Sequence, residues 1–109
     1  IVMAQQGRME EAVEHWRISL AGAPENPGTH NNLGVAFAMR QDPEGAATHF
    51  REALRLRPDY PEAHRNLADT LRGQGDVAGA ATHYREALRL QPGMPGVQAA
   101  LDALGQAGP

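Results

Sequence analysis

The sequence has no cysteine, which excludes a disulfide framework, a thiolate nucleophile and a zinc-thiolate cluster, and leaves no mark of the compartment's redox state. Lysine is missing too, since all ten basic residues are arginine. A Schiff-base lysine and a phosphate-loop lysine are therefore excluded. Ser19 is the single serine, and no glycine-rich phosphate motif follows a strand-like run. What remains for catalysis is acid pairs such as Glu10 and Glu14, which lie on an amphipathic stretch whose polar side ordinarily carries solvated charge. No enzyme activity, catalytic residue or cofactor is expected.

Long apolar runs are also lacking. No stretch approaches the roughly 18 residues of a membrane span, and no charged leader with an apolar centre opens the chain. Direct membrane insertion is not expected, and a soluble segment in either cytoplasm or periplasm fits equally. Clustered positive charge is absent and the formal net charge is -3, so nucleic acid is not an expected partner. Aromatics number only five against an apolar content drawn mostly from Ala and Leu. That balance favours thin, closely packed helical layers over a thick core. Arginine without lysine, beside abundant Ala, Gly and Pro, is a composition associated with GC-rich bacterial sources.

What is present is a repeat. Shifted by 34 positions, GAATHFREALRLRP from Gly45 to Pro58 falls on GAATHYREALRLQP from Gly79 to Pro92, with twelve of fourteen residues identical. Upstream, Pro27, His30, Asn32, Leu33 and Asp42 fall on Pro61, His64, Asn66, Leu67 and Asp76. A third, partial copy places Ala12, His15, Trp16 and Pro24 over Ala46, His49, Phe50 and Pro58. A period of this length is that of a helix-turn-helix unit that cannot bury its own apolar face and stacks on its neighbours.

Local signals agree with that reading. Ala46, Ala47, Phe50, Ala53 and Leu54 form one apolar stripe at helical spacing. Asp42 is an expected N-cap with Pro43 at the first helical position, and Gly75 and Asp76 end one helix and start the next. Helices are expected near 27–40, 43–57, 61–74, 77–91 and 95–105, preceded by one near 9–22 and a partial one at 1–6. The division that follows is a partial repeat at 1–26, mainly its second helix, complete repeats at 27–60 and 61–94, a capping helix at 95–105 and a frayed tail at 106–109. Ile1 corresponds to the ninth position of a unit, so the natural protein is expected to continue upstream.

The pattern resembles the tetratricopeptide repeat family: His30, Leu33, Gly34, Phe37, Ala46, Phe50, Ala53 and Pro58 match its positions in one unit, and His64, Leu67, Ala68, Leu71, Ala80, Tyr84, Ala87 and Pro92 in the next. His30, His64 and Leu71 depart from the commoner aromatics. The resemblance implies an all-α, right-handed superhelix of antiparallel helical hairpins that acts as a protein-protein interaction scaffold. It also implies that the first helices line a concave groove for an extended peptide or protein segment.

The first-helix positions outside the packing pattern are then Asn31, Asn32, Val35 and Met39 in one repeat and Arg65, Asn66, Asp69 and Arg72 in the next. Asparagine is a poor interior helix residue because its amide competes for backbone hydrogen bonds. Asn32 and Asn66, at equivalent positions, resemble the asparagine ladder of O-linked N-acetylglucosamine transferase superhelices and offer donors and acceptors to a peptide backbone. Facing water after repeat duplication is the alternative. Arg65 and Arg72 offer bidentate contacts to an acidic ligand, or else ion pairs with Asp69 at helical spacing. His15, His49 and His83, with His30 and His64, recur by the repeat. Repeat-equivalent side chains point in parallel directions and do not converge on one ion, so no metal site is expected. Self-association through exposed terminal surfaces and service as the substrate-recruiting segment of a larger enzyme, such as a glycosyltransferase, remain as alternative functions.

Overall fold

A computed structural model describes residues 26–107; the sequence readings at 1–25 and at the last two residues lie outside this range. Among the described residues there are five helices and no strand: α1 (Pro27–Met39), α2 (Pro43–Leu56), α3 (Pro61–Gly73), α4 (Val77–Leu90) and α5 (Val97–Ala107). The chain packs α1 on α2, α3 on α4, α2 on α3 and α4 on α5, with a further contact of α1 with α3. This is a stack of helical hairpins in which each pair covers the apolar side of the next.

The two hairpin turns show how the sequence sets the geometry. At the end of α1 the Asp42 amide donates to the Phe37 carbonyl (2.9 Å) and the Gln41 amide to that of Ala38 (3.0 Å). At the end of α3 Asp76 and Gly75 repeat this with Leu71 (2.9 Å) and Arg72 (3.0 Å). These paired bonds form the Schellman arrangement, which needs a residue of positive φ at its apex. Gly75 fills it at φ 88 and Gln41 at φ 62. The same aspartates then cap the helices that follow: a carboxylate oxygen accepts from the Gly45 amide at 3.0 Å for Asp42 and from the Gly79 amide at 2.9 Å for Asp76. One residue thus closes one helix and opens the next, which keeps the turn to three residues.

The end of the stack departs from the sequence reading. Pro95 was expected to begin the last helix, yet α5 starts at Val97. Gly96 has φ 78 and the Val97 amide donates back to the Met94 carbonyl at 3.4 Å. Pro-Gly at the two central positions with positive φ at the glycine is a type II turn, which interrupts a helix. The helix also continues through Gly105 to Ala107, beyond the expected end at 105. Leu104, buried one residue before that glycine, anchors the last turn.

The core joins these layers. Phe50 and Tyr84 are its largest fully buried side chains, surrounded by Ala46, Ala47, Leu67, Ala68, Ala80 and Ala87, and it extends through Met94 and Val97 to Leu104. The alanines let helix axes approach, and the two aromatics fill the space between hairpins. Gly34 is required for the same reason, because a Cβ there would run into the Phe50 ring.

Candidate cleft between the first helices

The contact of α1 with α3 leaves an open, mostly apolar cleft along the seam. One part, about 240 Å³, is lined by Val35, Ala38 and Met39 of α1, Phe50 of α2, and Asn66, Asp69 and Thr70 of α3. A second part, about 450 Å³, continues from Ala38, Asp69 and Thr70 to Gly73, Gln41 and Pro43. Met39 is 64% exposed and offers hydrophobic contact area at the groove edge.

Four of the eight residues singled out in the sequence, Val35, Met39, Asn66 and Asp69, meet here. Arg65 and Arg72 flank the cleft through their pairing with Asp69. Asn31 is buried and accepts a hydrogen bond from the Asn66 amide (Nδ2 to Oδ1, 3.1 Å). The carboxamide contact across the seam is therefore Asn66 with Asn31, not with its repeat equivalent Asn32, which is exposed. The bond also explains an asparagine in mid-helix: it ties α1 to α3 and fixes which way both amides face. Ala38 and Thr70 were missed by the sequence reading. Their signal was spacing, since Ala38 lies three residues after Val35 and Thr70 four after Asn66, on the same helical faces.

Asp69 is the electrostatic centre of the cleft wall. Its carboxylate accepts a hydrogen bond from the Tyr84 hydroxyl. Arg65 Nε lies 3.3 Å and the Arg72 guanidinium 3.8 Å from its oxygens, so both ion pairs weighed in the sequence are formed. The Arg72 guanidinium also sits over the Tyr84 ring, 5.9 Å from its centroid. Burial, and then the hydrogen bond to Asp69, push the Tyr84 hydroxyl well above its ordinary value of 10.0. The two arginines more than offset the single carboxylate, so the wall presents no net negative charge to a ligand.

On the outer helices Glu52 pairs with Arg55 at 2.5 Å and Glu86 with Arg89. In each case the arginine's hydrogen bond pulls the carboxyl below its ordinary value. These exposed pairs contribute little to stability.

The histidines meet within hairpins, between the two helices of one repeat. His30 Nδ1 lies 3.2 Å from His49 Nδ1, and His64 Nδ1 lies 3.0 Å from His83 Nδ1. No group of three or more His, Asp or Glu side chains among the described residues is arranged to hold a metal ion. Likewise, no described helix is long and apolar enough to cross a membrane.

A family model described as "Tetratricopeptide repeat" matches residues 4–61 and 40–95. No match is found among curated proteins. Among solved structures, the first TPR of Spaghetti (RPAP3) bound to an HSP90 peptide is similar, with TM-score 0.89, 21% identity and coverage of 94% of this chain and 82% of that one. The second TPR domain of human RPAP3 in complex with an HSP70 peptide gives TM-score 0.84, 22% identity and coverage of 93% and 84%. The Yersinia enterocolitica type III secretion chaperone SycD in complex with a peptide of the translocator YopD gives TM-score 0.85, 17% identity and coverage of 94% and 84%. At these identities the likeness establishes the fold alone.

Proposed function

Because the chain belongs to the tetratricopeptide repeat family, we propose that it is a peptide-binding scaffold that holds an extended protein segment in the cleft between α1 and α3. The observation that carries this reading is the cleft itself, an apolar floor of Val35, Ala38 and Met39 beside the polar Asn66, Asp69 and Thr70. Apolar floor and few polar groups are the usual composition of a site that binds by burial and orients by hydrogen bonding. The three similar structures described above each hold, by their names, a peptide, which supports the same use here. The Asn66 carboxamide, oriented by Asn31, supplies a backbone contact, and Met39 and Val35 supply apolar area for an alternate side chain. With Asp69 engaged by two arginines, an acidic segment meets no repulsion at this wall.

A direct test is Ala38→Arg. Ala38 is exposed and lines both parts of the cleft, and arginine is a good helix former, so the variant obstructs the cleft with the fold intact. Peptides enriched on the wild-type chain from a randomised display library should bind Ala38→Arg at least about tenfold more weakly, a loss of about 1.4 kcal/mol. Unchanged affinity for every enriched peptide would place binding elsewhere.

A further inference from the structure

The histidine pairs carry a consequence independent of peptide binding. In the second hairpin the ring centroids of His64 and His83 are 5.2 Å apart with the two Nδ1 atoms at 3.0 Å. In the first hairpin the values for His30 and His49 are 5.5 Å and 3.2 Å. In both, the centroid separation is the N···N distance plus about one ring radius on each side. The nitrogens must then face each other almost head on, in rings inclined by only 27° and 24°. Facing lone pairs cannot converge on a metal ion beside them. They suit one hydrogen between them.

The direction of that hydrogen bond is fixed in the second hairpin. His64 Nε2 lies 2.9 Å from the Pro58 carbonyl oxygen; a carbonyl only accepts, so His64 carries its hydrogen on Nε2. Its neutral Nδ1 is a lone pair, and His83 must donate from Nδ1. We infer that His64 and His83 form a one-proton latch between α3 and α4, closed at neutral pH and opened by acid. A first added proton is compatible with the latch, since it goes to His83 Nε2 and leaves the Nδ1 hydrogen in place. A second, on His64 Nδ1, sets two N–H groups against each other and breaks it.

The charged groups facing the pair are few. Glu86 of α4 and Asp76 at its N-cap favour a cation on His83, while Arg51 of α2 and His64 itself oppose it. Burial is the largest influence, and it holds His83 below its ordinary value of 6.5. In the native pair a proton on His64 Nδ1 would meet the His83 Nδ1–H head on, and burial already resists a proton on His83; the unfolded chain has neither obstacle. Below about pH 6.5 the unfolded state therefore binds more protons than the native state. Stability is complete above that pH and declines as pH falls through the window beneath it.

Two measurements test the latch. Nitrogen-proton correlation spectra of the imidazoles at pH 7.5 should show His64 as the Nε2–H tautomer and His83 as the rarer Nδ1–H tautomer. His83→Asn keeps a donor in place of Nδ1–H but cannot titrate. Urea-unfolding curves from pH 7.5 to 5.5 should show the wild-type folding equilibrium weakening by up to about tenfold per pH unit for this pair, and the variant's pH dependence should be smaller by that amount. An Nε2–H tautomer at His83, or a pH dependence in His83→Asn equal to that of wild type, would overturn the latch. If the variant does not fold, the wild-type tautomers decide alone.

Discussion

Tyr84 is fully buried in the core while its hydroxyl donates to Asp69 at the cleft wall, so one side chain links hairpin packing to the candidate site. Its repeat equivalent Phe50 has no hydroxyl, and the corresponding first-helix position is Val35 instead of Asp69. The two changes occur together: phenylalanine over an apolar wall, tyrosine over a carboxylate. Tyr84→Phe should cost about 1 to 2 kcal/mol in urea unfolding at neutral pH, the range for a hydrogen bond to a partly exposed charged acceptor. Tyr84 is an acid whose folded-state value is raised, so its contribution is complete below about pH 10 and is lost as pH rises beyond it. The stability gap between wild type and Tyr84→Phe should accordingly narrow above about pH 10. The partnership of Tyr84 with Asp69 was not legible in the sequence, because it spans fifteen residues and depends on how α4 lies on α3. The histidine pairs were hidden for a related reason. Shifting the chain by its own period aligns His30 with His64, whereas the bonds join residues nineteen apart within a hairpin.

At the scale of elements, helix starts and stops were the most legible features, since each is a local chemical event. Asp42, Pro43, Gly75 and Asp76 could be assigned from residue type alone, and the structure gives them those roles. The start of α5 was misread because Pro95 resembles Pro27 and Pro61 at the head of a helix. The difference lies in backbone conformation and not in the dipeptide, since Pro27 and Gly28 also form a Pro-Gly pair yet head α1, whereas Gly96 adopts a positive φ. A further comparison of repeats yields a stability prediction. Gln41 holds the same positive-φ apex as Gly75, where an L-residue bears a steric penalty that glycine avoids. Gln41→Gly should raise stability by about 0.5 to 1 kcal/mol, allowing for the extra freedom glycine gives the unfolded chain. Thermal unfolding followed by circular dichroism would register this as a higher midpoint, and a lower one would mean that Gln41 makes compensating contacts.

At the scale of the molecule, the hairpins form a linear stack in which adjacent helices bury a continuous alanine-rich core. The period of 34 made this architecture legible, because only stacked units need the same small residues at the same interval. The cleft was half legible. Val35, Met39, Asn66 and Asp69 follow from asking which first-helix positions are left over after packing, but the seam itself depends on the approach of α1 to α3. Its continuation past Ala38 and Thr70, which line both parts, has no counterpart in a single repeat. If this seam receives an extended peptide, the side chains that line it must touch that peptide. Isotope-edited NMR of the chain with a display-selected peptide tests this most directly. Intermolecular nuclear Overhauser contacts are expected from the methyl groups of Val35, Ala38, Met39 and Thr70. Contacts confined instead to the outer face around Arg51 and Arg85, with those methyls unperturbed, would contradict binding in the seam.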